Sequence, residues 1–117
     1  MRTTDEYRQQ AIAAIAALQL PETWKLQGYD TVLFDPAVPD KGIQSIGAVY
    51  TNMAMHGQDL KRYRVFYHTP TEHLGIVEKT IIDFGKYSYN CLISNKTIKQ
   101  LNEFIAEYIK TDEHEYA

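Results

Sequence analysis

Helical spacing of apolar residues is confined to the two ends of this chain, and everything between them reads in short alternating runs. At the start, Tyr7, Ala11, Ile15 and Leu18 recur at the spacing of one helical face. Thr3 followed by Glu6 matches a capping box, in which each side chain satisfies an orphan amide of the first turn. The reading is a helix over Thr4 to Gln19, ended by Pro21, which cannot continue the ladder. Its stripe is rich in alanine, so the helix can lie close against a sheet. At the other end, Ile98, Leu101, Ile105 and Tyr108 form a second stripe, widened by Phe104 and Ile109. That predicts a helix over Asn95 to Lys110, capped by Ser94 or Asn95.

Between the helices the period falls to two. Thr31 to Phe34 is β-branched and aromatic, and it stops at Asp35-Pro36. Residues 35–42 hold two prolines and an Asp-Lys-Gly turn, which marks an exposed loop. Ile43 to Met55 reads as one bent strand with Gly47 as the place for a bulge. Gly57-Gln58-Asp59 then makes a turn. Lys61 to Thr69 puts Tyr63, Val65 and Tyr67 on one face and Arg62, Arg64, Phe66 and His68 on the other. Leu74 to Phe84 sets Leu74, Ile76, Ile82 and Phe84 against Val77, Lys79 and Ile81. Gly85-Lys86 is a hairpin signal, and Tyr87 to Ile93 returns as the last strand.

The expected architecture is therefore α+β: a helix, a four- to five-stranded mostly antiparallel sheet, and a helix, with both helices on one face. Ile15, Leu18, Leu101 and Ile105 are the expected core. At 117 residues the chain has room for one core, and residues 1–117 are read as a single domain. Asp112, Glu113 and Glu115 make 111–117 an acidic tail, which is expected to be solvated.

Charge and cysteine content narrow the function classes. A formal net charge of −3 argues against a general polyanion binder, although one local basic patch could hide inside it. The single cysteine, Cys91, excludes an intrachain disulfide and points to a reducing compartment, the cytoplasm. Ala11 to Leu20 is too short for a bilayer span and has the wrong flanks for a signal peptide, so no membrane association is expected.

The chemistry-bearing residues form no enzyme signature. His68, Glu72 and His73 resemble a metalloprotease motif, but the histidines stand five apart with Pro70 between, where a zincin helix needs four. A metal site drawn from His56, His68 and His73, or a small hydrolase or nuclease using that region, is the least favoured reading. Cys91, beside Leu92 and Ile93, reads as a buried small hydrophobe and not a nucleophile. No carboxylate pair stands out from Asp30, Asp35, Asp40, Glu78 and Asp83, and no glycine loop cradles a phosphate. No cofactor and no metal is expected.

Two patterns point to binding. Lys61 to His68 alternates cations with aromatics, so Arg62, Arg64 and Phe66 are candidates for a strand that tracks single-stranded nucleic acid. The chain also holds nine tyrosines, among them Tyr29, Tyr50, Tyr63, Tyr67, Tyr87 and Tyr89 in or beside strands. Tyrosine offers apolar area with a polar tip and is common where proteins meet. Tyr50, Tyr67 and Tyr89, with Asp35 and Asp40 on the loop, are the candidate contacts with a protein partner, the loop acids being read as a mimic of nucleic acid.

The segment from Tyr63 to Ile105 resembles a small uncharacterised domain of phage and phage-like proteins. The residues that carry the likeness are Phe66-Tyr67-His68-Thr69-Pro70, then Lys86-Tyr87-Ser88-Tyr89, then Ser94-Asn95-Lys96-Thr97 and the helix through Ile105. The resemblance implies an accessory protein of a mobile element, acting in the host cytoplasm. By analogy with other accessory proteins of mobile elements, the expected function is that of a non-enzymatic inhibitor covering a working surface of a host protein or defence complex, in the manner of anti-CRISPR proteins.

Overall fold

The computed structural model describes residues 4–53, 61–83 and 85–110. The expectations for Thr3, His56, the turn at Gly57 to Asp59, Phe84 and the tail at 111–117 lie outside these, as do those for the side chains of Ile81, Ile82 and Asp83. Helix α1 (Thr4–Ala16) leads into five strands, β1 (Trp24–Leu33), β2 (Ile43–Asn52), β3 (Lys61–His68), β4 (His73–Asp83) and β5 (Lys86–Lys96). Helix α2 (Ile98–Phe104) follows and widens into a π-helical turn over Ile105–Ile109. The strands form one antiparallel sheet in the order of the chain. The fold is α+β.

Register sorts the side chains into two faces. Ile46 faces Tyr67 and Ala48 faces Val65 across β2 and β3, and the same rows continue to Leu74 and Ile76 on β4. These six are buried in one cluster with Ala11, Ile15 and Leu18 from the first helical segment and Leu101, Ile105 and Ile109 from the last. The expected core of Ile15, Leu18, Leu101 and Ile105 is present in it. Trp24 stacks on Tyr63 with ring centroids 3.9 Å apart and closes one end.

Several boundaries depart from the sequence reading. Helix α1 stops at Ala16, well before Pro21, because a side chain from α2 takes over its end. The side-chain oxygen of Asn102 accepts from the amide of Gln19, and its NH2 donates to the carbonyl of Ala17. Strand β1 begins at Trp24 and not at Thr31. It is an edge strand with a bulge between Leu26 and Gly28, so its polar run lacked the expected alternation. Gly47 is not a bulge: the β2–β3 register runs through it unbroken.

The second helix is capped by Thr97, not by Ser94 or Asn95, which still belong to β5. Thr97 Oγ1 accepts from the amide of Gln100, and the Gln100 side chain accepts from the amide of Thr97, a reciprocal capping box. Tyr108, expected inward, is 59 % exposed, and Ile109 is buried in its place. The π turn explains the exchange. The amide of Lys110 reaches back five residues to the carbonyl of Ile105, so a spacing of four keeps Leu101, Ile105 and Ile109 on one side.

Candidate binding face of the sheet

The residues that point away from the helix-lined core form four cross-strand rows. Lys25, Thr51, Arg62, Lys79 and Tyr89 make the first, running across all five strands. Gly28, Val49, Arg64, Val77 and Cys91 make the second. Asp30, Gly47, Phe66 and Gly75 make the third, and Val32, Ser45, His68 and His73 the fourth. Neighbouring members of a row stand about 5 Å apart, so each row is a continuous strip of side chains. Among the described side chains this face holds four cations against the single carboxylate of Asp30, in a chain of net charge −3.

Arg64 is engaged within the sheet. Its Nε donates to both carboxylate oxygens of Asp30 at 2.8 and 3.0 Å, and its Nη2 donates to Ser45 Oγ at 3.0 Å. Gly47 makes room for this pair, since it lies between Asp30 and Arg64 with no side chain of its own. Phe66 leans across Gly75 in the same manner, with its Cε1 2.7 Å from where a Cβ would stand. Arg64 also lies 5.8 Å from the Phe66 ring centre. Both glycines are thus slots for neighbouring side chains.

The outer end of the face is aromatic. The Lys79 ammonium sits 4.0 Å from the centre of the Tyr87 ring and 5.8 Å from that of Tyr89. Such contacts hold a cation at a surface without a carboxylate to neutralise it. Beside this cluster a shallow depression of about 270 Å³ is lined by Val49, Arg62, Arg64, Val77, Lys79 and Tyr89, among others. Tyr89 is 67 % exposed.

The candidate residues of the sequence reading divide accordingly. Arg62, Arg64, Phe66 and Tyr89 come together on this face. Tyr67 does not: it is 4 % exposed and packs in the core, where its hydroxyl donates to Gln10 Oε1. Its place opposite Ile46 and Leu74 makes it a core residue and removes it from the candidate contacts. Tyr50 is half-buried on the core side, tilted against Trp24, and burial, with the nearby Tyr29, pushes its phenol above the ordinary value. Asp35 and Asp40 sit apart from the face. Asp35 accepts from the amide of Ala37 and lies 3.6 Å from Lys41, while Asp40 belongs to a short 3₁₀ turn at Pro39–Lys41.

Cys91 is exposed on this face of the sheet, contrary to its reading as a buried hydrophobe. It lies on the edge strand outside the cover of the core, which apolar neighbours in sequence could not reveal. His68 and His73 face each other across β3 and β4. His68 Nδ1 contacts Thr71 Oγ1 at 3.1 Å and His73 Nδ1 contacts Asn95 Oδ1 at 2.8 Å. No group of three potential metal ligands occurs among the described residues. No helix of the described residues is long and apolar enough to cross a membrane.

Lys25, Lys79 and Tyr87 complete the face and were not among the candidate contacts read from sequence. The signal for Lys79 was its place between Val77 and Ile81 on the face of β4 opposite Leu74 and Ile76. Lys25 had none, since β1 was not recognised that early in the chain. No family model, curated protein or solved structure matches this chain.

Proposed function

We propose that this chain is a non-enzymatic binding protein whose contact surface is the sheet face carrying Lys25, Arg62, Lys79, Tyr87 and Tyr89. In this reading both helices lie together on the opposite face, which leaves the cationic and aromatic face for a partner. The support is that residues of both helices enter one buried cluster with strand residues of a single parity, while Lys25, Arg62, Tyr89 and Cys91 are exposed. The partner is a protein with an acidic surface. One observation carries this: the row of three cations ends on an exposed tyrosine pair that cradles its last ammonium. Tyrosine and arginine around a shallow apolar floor are the side chains that anchor protein interfaces. The likeness to phage accessory domains supports a setting in a host cytoplasm, with inhibition of a host defence complex as the outcome of binding. Mimicry of nucleic acid by acids has no part in this reading, because the face is of the opposite sign.

A second reading, single-stranded nucleic acid, draws on the excess of cations over carboxylates on the face. It is weaker because Arg64 is tied to Asp30 and Phe66 lies over Gly75, so two of its three expected contacts are used within the sheet.

The test compares the natural chain with the Arg62→Glu/Lys79→Glu variant. Each is used to capture partners from a bacterial lysate, and each is titrated with single-stranded DNA and RNA at two salt concentrations. Under the protein reading, a captured protein is lost with the variant, and affinity falls by about 2 kcal/mol or more at an unchanged melting temperature. Nucleic-acid binding that weakens steeply with salt and vanishes in the variant would replace the first reading with the second.

A further inference from the structure

Among the described residues, strand β5 is the last in the sheet and is paired on its inner side alone. From Tyr87 opposite Ile81 to Cys91 opposite Val77 that pairing is regular, and beyond it the register shifts around Leu92 and again before Lys96. Among the described residues no other strand and no loop amide bonds to its outer side. An edge with free amides and carbonyls is a template for another strand unless charge, proline or a bulge blocks it. The opposite edge, β1, is guarded by Lys25 and by irregularities at Leu26/Gly28 and Val32/Leu33. The regular stretch of β5, Tyr87-Ser88-Tyr89-Asn90-Cys91, has no charge, no proline and no bulge, and all five residues are exposed.

This stretch alternates about Tyr89, with a small polar residue on each side of it, Ser88 and Asn90, and an uncharged residue beyond each, Tyr87 and Cys91. Antiparallel pairing about a two-fold axis at Tyr89 sets Tyr89 opposite its own counterpart. Ser88 then faces Asn90, and Tyr87 faces Cys91. Aromatic pairs and small polar pairs directly opposed stabilise a ladder, whereas like charges would oppose it. Lys86 meets Leu92, so no such clash arises in this register. Centring the axis on Cys91 instead would set Lys86 against Lys96 and run the ladder into the shifts around Leu92.

We infer that β5 pairs with β5 of a second copy of this chain, about a two-fold axis at Tyr89, to make one continuous sheet. The contact is isologous and closes on itself, so it yields a dimer and not a filament. It goes beyond the binding reading above, resting on backbone pairing and not on the identity of any partner. It would also bring two Lys79–Tyr87–Tyr89 clusters side by side at the middle of the joined face, doubling the cationic surface a partner meets.

Disulfide trapping and mass measurement test this. In a Cys91→Ser background, Tyr89→Cys places two thiols at the axis. Directly opposed antiparallel residues have Cα atoms about 4.5–5.5 Å apart, which lies within disulfide reach. Mild oxidation is expected to link this variant into dimers, while Ser88→Cys in the same background, facing Asn90, links far less. Light scattering should give the mass of two chains for the natural protein at high concentration. The Tyr89→Lys variant, with two ammoniums at the axis, should give the mass of one chain at an unchanged melting temperature. A natural chain that is monomeric at every concentration, equal trapping of the two cysteine variants, or a dimer that survives Tyr89→Lys would each overturn the inference. Protection of β5 amides from hydrogen exchange only on adding a captured partner would also overturn it, assigning the edge to a strand of that partner.

Discussion

Arg64 occupies the space that a side chain on Gly47 would fill: a Cβ there would stand 2.7 Å from Cζ of Arg64 and 2.7 Å from Oδ1 of Asp30. Both distances are shorter than real contacts allow, so the ion pair between β1 and β3 as placed requires a glycine on β2. A partly exposed ion pair contributes little by itself. The expected cost of Gly47→Ala comes instead from displacing two packed side chains, about 1–3 kcal/mol. In an Arg64→Ala background the same substitution should cost less, because one of the two obstacles has gone and Asp30 is no longer held in place by Arg64. Urea unfolding of the two single variants and the double variant measures this.

Tyr67 and Tyr89 should behave as opposites. Tyr67→Ala opens a cavity between Ile46 and Leu74 and is expected to lower stability by about 3–5 kcal/mol. Tyr89→Ala, on the outer strand, should leave the melting temperature within a degree or two of the natural chain (~0.5 kcal/mol) and weaken partner capture. Paired melting and affinity measurements separate the two effects.

Along the second helix, Leu101→Ala should cost roughly 2–5 kcal/mol, since Leu101 is fully buried against the sheet. Tyr108→Ala should change stability by less than about 0.5 kcal/mol. A large loss at Tyr108 would mean that the last turn winds as an ordinary α-helix, with Tyr108 inward. Denaturant titration of both variants checks the π turn directly.

The phenol of Tyr50 is held above its ordinary value by burial and by Tyr29. The unfolded chain therefore loses that proton first as pH rises. The contribution is fully present below about pH 10 and is lost as pH climbs through the folded value. Tyr50→Phe cannot ionise, so its stability should fall less steeply on the alkaline side. Melting temperatures followed from neutral to strongly alkaline pH, for both chains, give the comparison.

Cys91 is exposed on the edge strand, so the native protein should take up one equivalent of a thiol-alkylating reagent without denaturant. The reaction should leave the melting temperature unchanged, because no core contact is lost. Mass spectrometry of the intact protein before and after treatment reads the outcome. Dimerisation through β5 should slow it, since Cys91 then faces Tyr87 of the second copy.

Patterning along the chain was enough to read helix, strands and helix in order and to place Ile15, Leu18, Leu101 and Ile105 in the core. Period-two runs separated by Pro and Gly can form only strands, and stripes at helical spacing at both ends can bury only against them. Alternation in Lys61 to His68 was enough to set Tyr63 and Val65 against Arg62 and Arg64. Which of the tyrosines is buried and which exposed was not legible. Tyr67 and Tyr89 carry the same side chain at the same kind of strand position, and only register decides that one has Ile46 and Leu74 beside it while the other lies on an open edge. The end of α1 was likewise decided at a distance, by Asn102 reaching Ala17 and Gln19 across more than eighty residues of chain. The row of cations on the sheet exists only once the strands are paired. Lys25, Arg62 and Lys79 come from three strands far apart in sequence, and local patterning carries no information about which strand lies next to which. Pairing of whole strands sets that, and it placed the cations in one row.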